Sequence, residues 1–289
     1  MQLSNSAQFL GMDSSYDDAD VVVFGAPFDG TTSFRPGTRF AMSCMRSESD
    51  GIETYSPKLD LDLEQFNVSD VGDIEVSTGD TVKVLSEIRD VAKRLVADGK
   101  KPLMVGGEHL VTLPVIEAMA AMNPDLHIIH LDAHTDLREE FNGSKLSHAT
   151  VIKRCWDILG DGRIFQFGIR SGTKDEFDFA LVDKHTYMER FTVDTAGDVL
   201  RQLAGKKVYV TIDLDVLDPS IFAGTGTPEA GGITYRELEN FFLALQAADI
   251  NFVGADIVEL SPHYDSSGVS TAVACKVLRE MALLLALKS

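Results

Sequence analysis

The stretch HIIHLDAHTD, residues 127–136, constrains this chain more than any other. Ile128, Ile129 and Leu131 form a short apolar run of the kind buried on both faces of a parallel sheet. The run ends abruptly in Asp132, His134 and Asp136. Residues two apart on an extended segment face the same way, so two carboxylates and an imidazole are expected on one side of a strand end. A lone Asp or His there reads as a solvated or hydrogen-bonded residue. Three at this spacing beside a buried strand carry a large desolvation cost, which a metal ion would remove.

Similar apolar runs recur along the chain. Residues 20–28, 101–109, 163–170, 207–215 and 251–260 read as strands, with weaker ones in 66–74 and near 186–188. Between them lie helical patterns. Thr81–Ala97 carries Val82, Leu85, Ile88, Val91, Ala92 and Leu95 at helical spacing and stops at Asp98-Gly99. Further helices are expected over 110–122, 147–159, 174–182, 193–203 and 234–247, and from Val269 onward. Strands separated by helices imply parallel βαβ crossovers, hence an α/β fold with a mainly parallel sheet of roughly eight strands covered on both faces. No linker composition divides residues 1–289, so one domain is expected. A closed eight-stranded barrel is the alternative topology.

Four of the clearest strands end in chemically capable residues: Glu108 and His109, then Asp132, His134 and Asp136, then Asp213 and Asp215, then Glu259. Parallel strands bring such ends to one rim of the sheet, where open α/β sheets bind ligands. Singly, each has a bland reading: a helix-terminal histidine, a capping aspartate, a paired glutamate. Together, His109, Asp132, His134, Asp136, Asp213 and Asp215 form a candidate binuclear metal site. Four carboxylates balance two divalent ions, and an Asp-rich, Cys-free set favours Mn2+ over structural Zn2+. Two such ions roughly 3.5–4 Å apart can share a hydroxide. His148 has no paired ligand nearby and suits proton transfer. A surface loop histidine is an equal reading there. His127 and His130 read as core, while His185 and His263 have no supporting pattern.

The formal net charge of −19 argues against nucleic-acid binding and would favour a cationic substrate, although acidity for solubility alone explains it as well. Cys44, Cys155 and Cys275 are far apart and odd in number, which suits a reducing cytoplasm. Residues 1–20 lack the pattern of a signal peptide, and no run is long enough to span a bilayer, so no membrane association is expected.

In these residues the chain resembles the ureohydrolase (arginase/agmatinase) family. GGEH (106–109), DAHTD (132–136), SHAT (147–150), DLDVLDP (213–219) and GTGTPEAGG (224–232) occur in the family's order and spacing, with GTTSFRPGTRF (30–40) and VELSP (258–262) also fitting. The resemblance implies a three-layer α/β/α fold with eight parallel strands. It also implies two Mn2+ ions and hydrolysis of a guanidinium group with release of urea. One ion would fall to His109, Asp132, Asp136 and Asp213, the other to Asp132, His134, Asp213 and Asp215. Glu259 would hold the guanidinium by charge-assisted hydrogen bonds, while a metal-bridging hydroxide attacks its carbon and His148 shuttles a proton. His148 and Glu259 are thus expected to bind substrate and, with Asp136, to make up the catalytic set.

The chain departs from the family at Glu108, where GGDH is frequent. Residues 137–146, LREEFNGSKL, do not match the segment whose Asn and Ser residues grip an amino acid in arginases, and Ser171-Gly172 stands where arginases place an acidic residue. DAHTDLR, SHAT and FGIRSG are more similar to bacterial agmatinases, which implies agmatine as substrate and putrescine and urea as products. Glu139 or Glu140 is expected at the distal ammonium. Arginase, guanidinobutyrase and formimidoylglutamase activities are the close alternatives. A single-zinc deacetylase-like enzyme or an inactive binding subunit is more remote. The resemblance also implies a homo-oligomer, a trimer or hexamer, with GTTSFRPGTRF as a candidate contact loop.

Overall fold

A computed structural model describes residues 3–4 and 8–287. The remaining residues of the expected 1–289 unit, part of the N-terminal stretch among them, lie outside the described residues. In chain order the elements are β1 (Leu3–Ser4), β2 (Val21–Ala26), α1 (Ala41–Glu48), β3 (Tyr55–Ser56), β4 (Leu61–Asp62), β5 (Val68–Ile74), α2 (Thr81–Ala97), β6 (Lys101–Gly106), α3 (Thr112–Met122), β7 (His127–Leu131), α4 (Val151–Leu159), β8 (Ile164–Ile169), α5 (Lys174–Phe177), β9 (Tyr187–Arg190), α6 (Ala196–Gln202), β10 (Lys207–Asp213), α7 (Tyr235–Ala247), β11 (Asn251–Val258) and α8 (Val269–Leu287).

Eight of these strands form one parallel sheet in the order β5-β2-β6-β11-β10-β7-β8-β9, and β1 adds a short antiparallel edge beside β5. The sheet is open, not a barrel. Helices cover both faces, because each inner strand is apolar on both sides. Val208, Val210 and Ile212 of β10 join the layer containing α6, α7 and α8, whereas Tyr209 joins the layer containing α2, α3 and α4. Leu103 and Val105 of β6 divide from Met104 in the same way. Among the described residues, no helix is long and apolar enough to cross a membrane.

The register brings the chemistry to one place. Leu131 pairs with Ile212, Asp213 with Val258, and Ile257 with Val105. The carboxyl ends of β6, β11, β10 and β7 are therefore level neighbours at the middle of the sheet, as expected for a ligand site in an open α/β fold. Gly107 is required here, since a Cβ on it would lie 1.7 Å from the Phe28 carbonyl oxygen. That close approach lets Glu108 N donate to Phe28 O at 2.8 Å and fixes where the 106–109 turn emerges.

One buried ion pair ties α1 to the sheet. Arg46 Nε and Nη2 donate to the two oxygens of Asp70 at 2.8 and 2.9 Å, and Nη1 reaches Asp73 at 2.5 Å. The Arg46 side chain is 2% exposed and that of Asp70 is 0% exposed. Arg46→Met is expected to destabilise the chain by about 3–5 kcal/mol, because it leaves a buried carboxylate without its counter-charge. Urea unfolding followed by circular dichroism checks this, and an unchanged midpoint would refute it.

Candidate active site

The six residues expected to bind metal converge on one acidic centre. Alternation along a strand is not the cause. β7 stops at Leu131 and β10 at Asp213, so Asp132, His134 and Asp136 follow the strand, and Asp215 sits in a 3-10 turn over Leu214–Val216. Local side-chain turns do the aiming. Asp132 Oδ1 accepts from His134 N at 2.5 Å, and Asp213 Oδ1 accepts from Asp215 N at 2.9 Å. Asp136 has φ 50° and Glu259 φ 68°, a left-handed backbone that non-glycine residues adopt at a cost. Both conformations occur at this site.

Two groups share Asp132. His109 Nδ1 lies 3.2 Å from Asp132 Oδ2, 3.2 Å from Asp136 Oδ2 and 3.4 Å from Asp213 Oδ2. His134 Nδ1 lies 3.4 Å from Asp132 Oδ1 and 3.0 Å from Asp215 Oδ2. The ligand atoms of Asp132, His134 and Asp215 lie within 4.8 Å of one another. Asp215 is held by Ala133 N at 3.1 Å and Thr227 Oγ1 at 3.1 Å.

This donor set fits cations. Thr211 Oγ1 donates to Asp256 at 2.6 Å, so it accepts from His109 Nε2 at 2.9 Å. The remaining His109 nitrogen, Nδ1, is buried, has no hydrogen-bond partner among the described residues, and presents its lone pair to three carboxylates. That arrangement is repulsive unless a positive charge sits among the four groups. The proton affinities express the same demand. Burial opposes charge on His109, yet its carboxylate neighbours hold its pKa well above the usual value. Burial, Asp215 and Asp132 push Asp213 well up, and burial with Asp132 pushes Asp136 to about 7. Asp132 goes the other way: burial resists, but His109, His130 and His134 hold it well below the ordinary range.

A cavity of about 260 Å³ opens above this centre, lined by His109, His134, Asp136 and Asp213 and flanked by Glu259 and His148. Glu259 Oε1 accepts from His109 N at 2.9 Å. Burial and the neighbouring Glu108 raise its pKa well above the usual carboxylate value. His148 Nε2 is 3.2 Å from Ser33 Oγ, and its Nδ1 is 3.2 Å from Ser147 Oγ and 3.7 Å from Glu108. Burial, aided by His134, pushes the His148 pKa down to about 4.

Some expectations need correction. Glu139 and Glu140 are exposed and do not line the cavity. Glu139 instead pairs with Lys145, Lys153 and Arg154 at 2.8, 3.3 and 3.2 Å. The start of the GTTSFRPGTRF segment also has a role within the chain, which the sequence did not reveal: Thr31 and Thr32 donate to Glu108, and Ser33 meets His148. His130 is fully buried as expected, but its Nε2 lies 2.8 Å from Asp132, so it is not merely core. Sequence reading missed Arg138, Phe141 and Glu176 in the cavity wall. Arg138 lies 4.8 Å over the Phe141 ring, and its Nε is 3.5 Å from Glu176. Glu176 closes a capping box with Thr173, a Thr-x-x-Glu signal that was available in the sequence.

A profile described as the Arginase family matches residues 19–284. An agmatinase of Bacillus anthracis is 46% identical over 275 residues, which cover 95% of this chain and 95% of that protein. An agmatinase of Bacillus subtilis (strain 168) is 44% identical over 276 residues, again 95% of each. A crystal structure from Clostridium difficile, provisionally termed an agmatinase, is 59% identical, covers 95% of this chain and 99% of that one, and superposes with a TM-score of 0.94.

Proposed function

The chain belongs to the arginase family, and from that premise we propose that it is a manganese ureohydrolase that converts agmatine and water to putrescine and urea. Enzymes of this family use a binuclear metal centre. The observation that carries the reading is the convergence of six ligand side chains, Glu259 and His148 on one acidic cavity. His109, Asp132, Asp136 and Asp213 would hold one ion, and Asp132, His134, Asp213 and Asp215 the other. Oxygen and nitrogen donors without thiolate suit Mn2+. When bound, such a pair lowers the pKa of water and neutralises developing negative charge.

The protein's own groups do the rest. Glu259 keeps Oε1 on His109 N, which leaves Oε2 to accept the guanidinium N–H groups. His148, neutral at neutral pH, is placed to take up a proton released from the attacking water and pass it to the departing amine nitrogen, with Ser33 as its partner. Asp136 lines the cavity itself, which supports its place in the catalytic set beside its role toward an ion.

The tail of the substrate falls to residues unforeseen in the sequence. Glu176 is the remaining carboxylate in the described cavity lining once Asp136, Asp213 and Glu259 are assigned. Its Oε1 accepts from Thr135 Oγ1 at 2.5 Å and Leu137 N at 3.2 Å, and its Oε2 from Thr173 N at 2.7 Å, so we take its negative charge, not a free lone pair, as what faces the distal ammonium. Glu176→Gln is then expected to raise KM for agmatine about tenfold, the loss of one facing charge, with kcat changed much less. Steady-state kinetics with unchanged KM would remove Glu176 from this role. Arg138 favours a second reading, because a guanidinium in the wall suits a carboxylate tail such as that of 4-guanidinobutyrate.

Substrate choice is tested by loading the purified chain with Mn2+. Urea is then measured from agmatine, arginine and 4-guanidinobutyrate, and formamide from formimidoylglutamate. Agmatine is expected to give the highest kcat/KM; preference for any other substrate contradicts the proposal. We also assign the chain to the cytoplasm and to polyamine biosynthesis, since Cys44, Cys155 and Cys275 are all free thiols and putrescine is the product. A homo-oligomer, trimer or hexamer, completes the reading and would cover Phe34, which is 65% exposed at the site's outer loop.

A further inference from the structure

His130 stands in the middle of a buried strand among isoleucines and leucines, where a histidine needs a reason. Its ring is fully buried, and both nitrogens are engaged. Nδ1 lies 3.1 Å from Gln166 Nε2, directly across the β7–β8 register. The identity of that amide nitrogen follows from its surroundings. It also faces the Thr135 carbonyl oxygen at 2.9 Å, which can only accept, while Gln166 Oε1 receives the Thr186 hydroxyl at 3.0 Å. Gln166 is fully buried and Thr186 is 5% exposed, so the amide has no competing water. Gln166 therefore donates to His130 Nδ1. The proton of the neutral ring then resides on Nε2, which donates to Asp132 Oδ2 at 2.8 Å.

The consequence lies in how Asp132 is shared. Its Oδ2 takes the His130 N–H and turns its other lone pair toward His109. Its Oδ1 takes the His134 backbone N–H and turns toward the His134 ring. Each oxygen has one fixed donor and one open side, and the open sides face different histidines. We propose that His130, locked by Gln166 and Thr186, is a positioning residue that divides the two oxygens of Asp132 between two cation positions. It touches neither substrate nor reacting atoms. It prevents the carboxylate from rotating to give both oxygens to one ion. The inference rests on the two-ion reading of the site.

Mn2+ binding and its electron paramagnetic resonance signal test this without reference to turnover. The wild-type chain is expected to bind two Mn2+ and to show an exchange-coupled spectrum. His130→Phe keeps a ring but has no donor. It is expected to retain one tight Mn2+, bind the second about 10–100-fold more weakly, and show the six-line signal of an isolated ion. His130→Gln restores an N–H and should recover much of the coupling. Gln166→Met frees the ring without touching His130 and should weaken the second site in the same direction. It carries the test alone if the thermal melt shows that His130→Phe does not fold. Two wild-type ions with unaltered affinity and coupling in the folded variants overturn this inference and leave the two-ion reading intact. A wild-type chain that never binds a second Mn2+ overturns both.

Discussion

Asp132→Asn is expected to abolish turnover while leaving a folded chain. The side chain is fully buried and is met by His109, His130 and His134, which hold it ionised against the pull of burial. Asparagine matches its shape but replaces one oxygen with an amide nitrogen that cannot ligate. Whichever way the amide turns, the negative charge is gone for both His109, at 3.2 Å from Oδ2, and His134, at 3.4 Å from Oδ1, and one of them also faces a nitrogen in place of an oxygen. Both expected ion positions use this one residue, so a single atom change reaches both. Loss of kcat/KM by 10³-fold or more, above about 4 kcal/mol of transition-state stabilisation, is the expected scale. Elemental analysis should show fewer than two Mn2+ per chain. Two retained ions with full urea production would remove Asp132 from the centre.

Glu259→Gln should separate substrate binding from metal binding. The glutamine can keep the His109 N contact through its oxygen but carries no charge toward the cavity. Mn2+ content is expected to stay at the wild-type level. The kcat/KM for agmatine should fall about 10²–10³-fold, as when one preorganised electrostatic group is removed from a water-poor site. The pH dependence gives a second readout. Glu259 must be ionised to hold a guanidinium cation, and its pKa is raised by burial and by Glu108. As pH falls, the proton therefore returns to Glu259 earlier than to an ordinary carboxylate, and KM rises. Glu259→Gln has no such proton to gain, so this acid rise in KM should disappear. A variant with wild-type kcat/KM would place the guanidinium elsewhere.

Much of the site was legible because its chemistry clusters in short motifs. Asp132, His134, Asp136, Asp213 and Asp215 follow apolar runs too short and too buried to tolerate uncompensated charge, and a parallel sheet puts such ends on one rim. Their aim is not legible in the same way. Asx-type turns after the strands, and a left-handed Asp136, orient them, and no period of two reveals these. The distal wall failed for a different reason. Glu139 and Glu140 are close to the ligands in sequence, yet Glu139 turns outward to Lys145, Lys153 and Arg154. Glu176, forty residues beyond Asp136, arrives through the start of another helix. His130 was hidden by its neighbours, since an apolar run declares burial but not the hydrogen bonds made inside it. The eight parallel strands were readable from the alternation of runs. The ninth, Leu3–Ser4, is two residues long and carries no period at all.

Product stoichiometry against bound metal tests the central claim most directly. Metal-free chain is titrated with Mn2+ in the presence of agmatine, and urea, putrescine and bound Mn2+ are measured together. The structure leads us to expect one urea and one putrescine for each agmatine consumed, with the rate levelling off at two Mn2+ per chain. A rate that saturates at one ion, or agmatine consumed without urea, would contradict it.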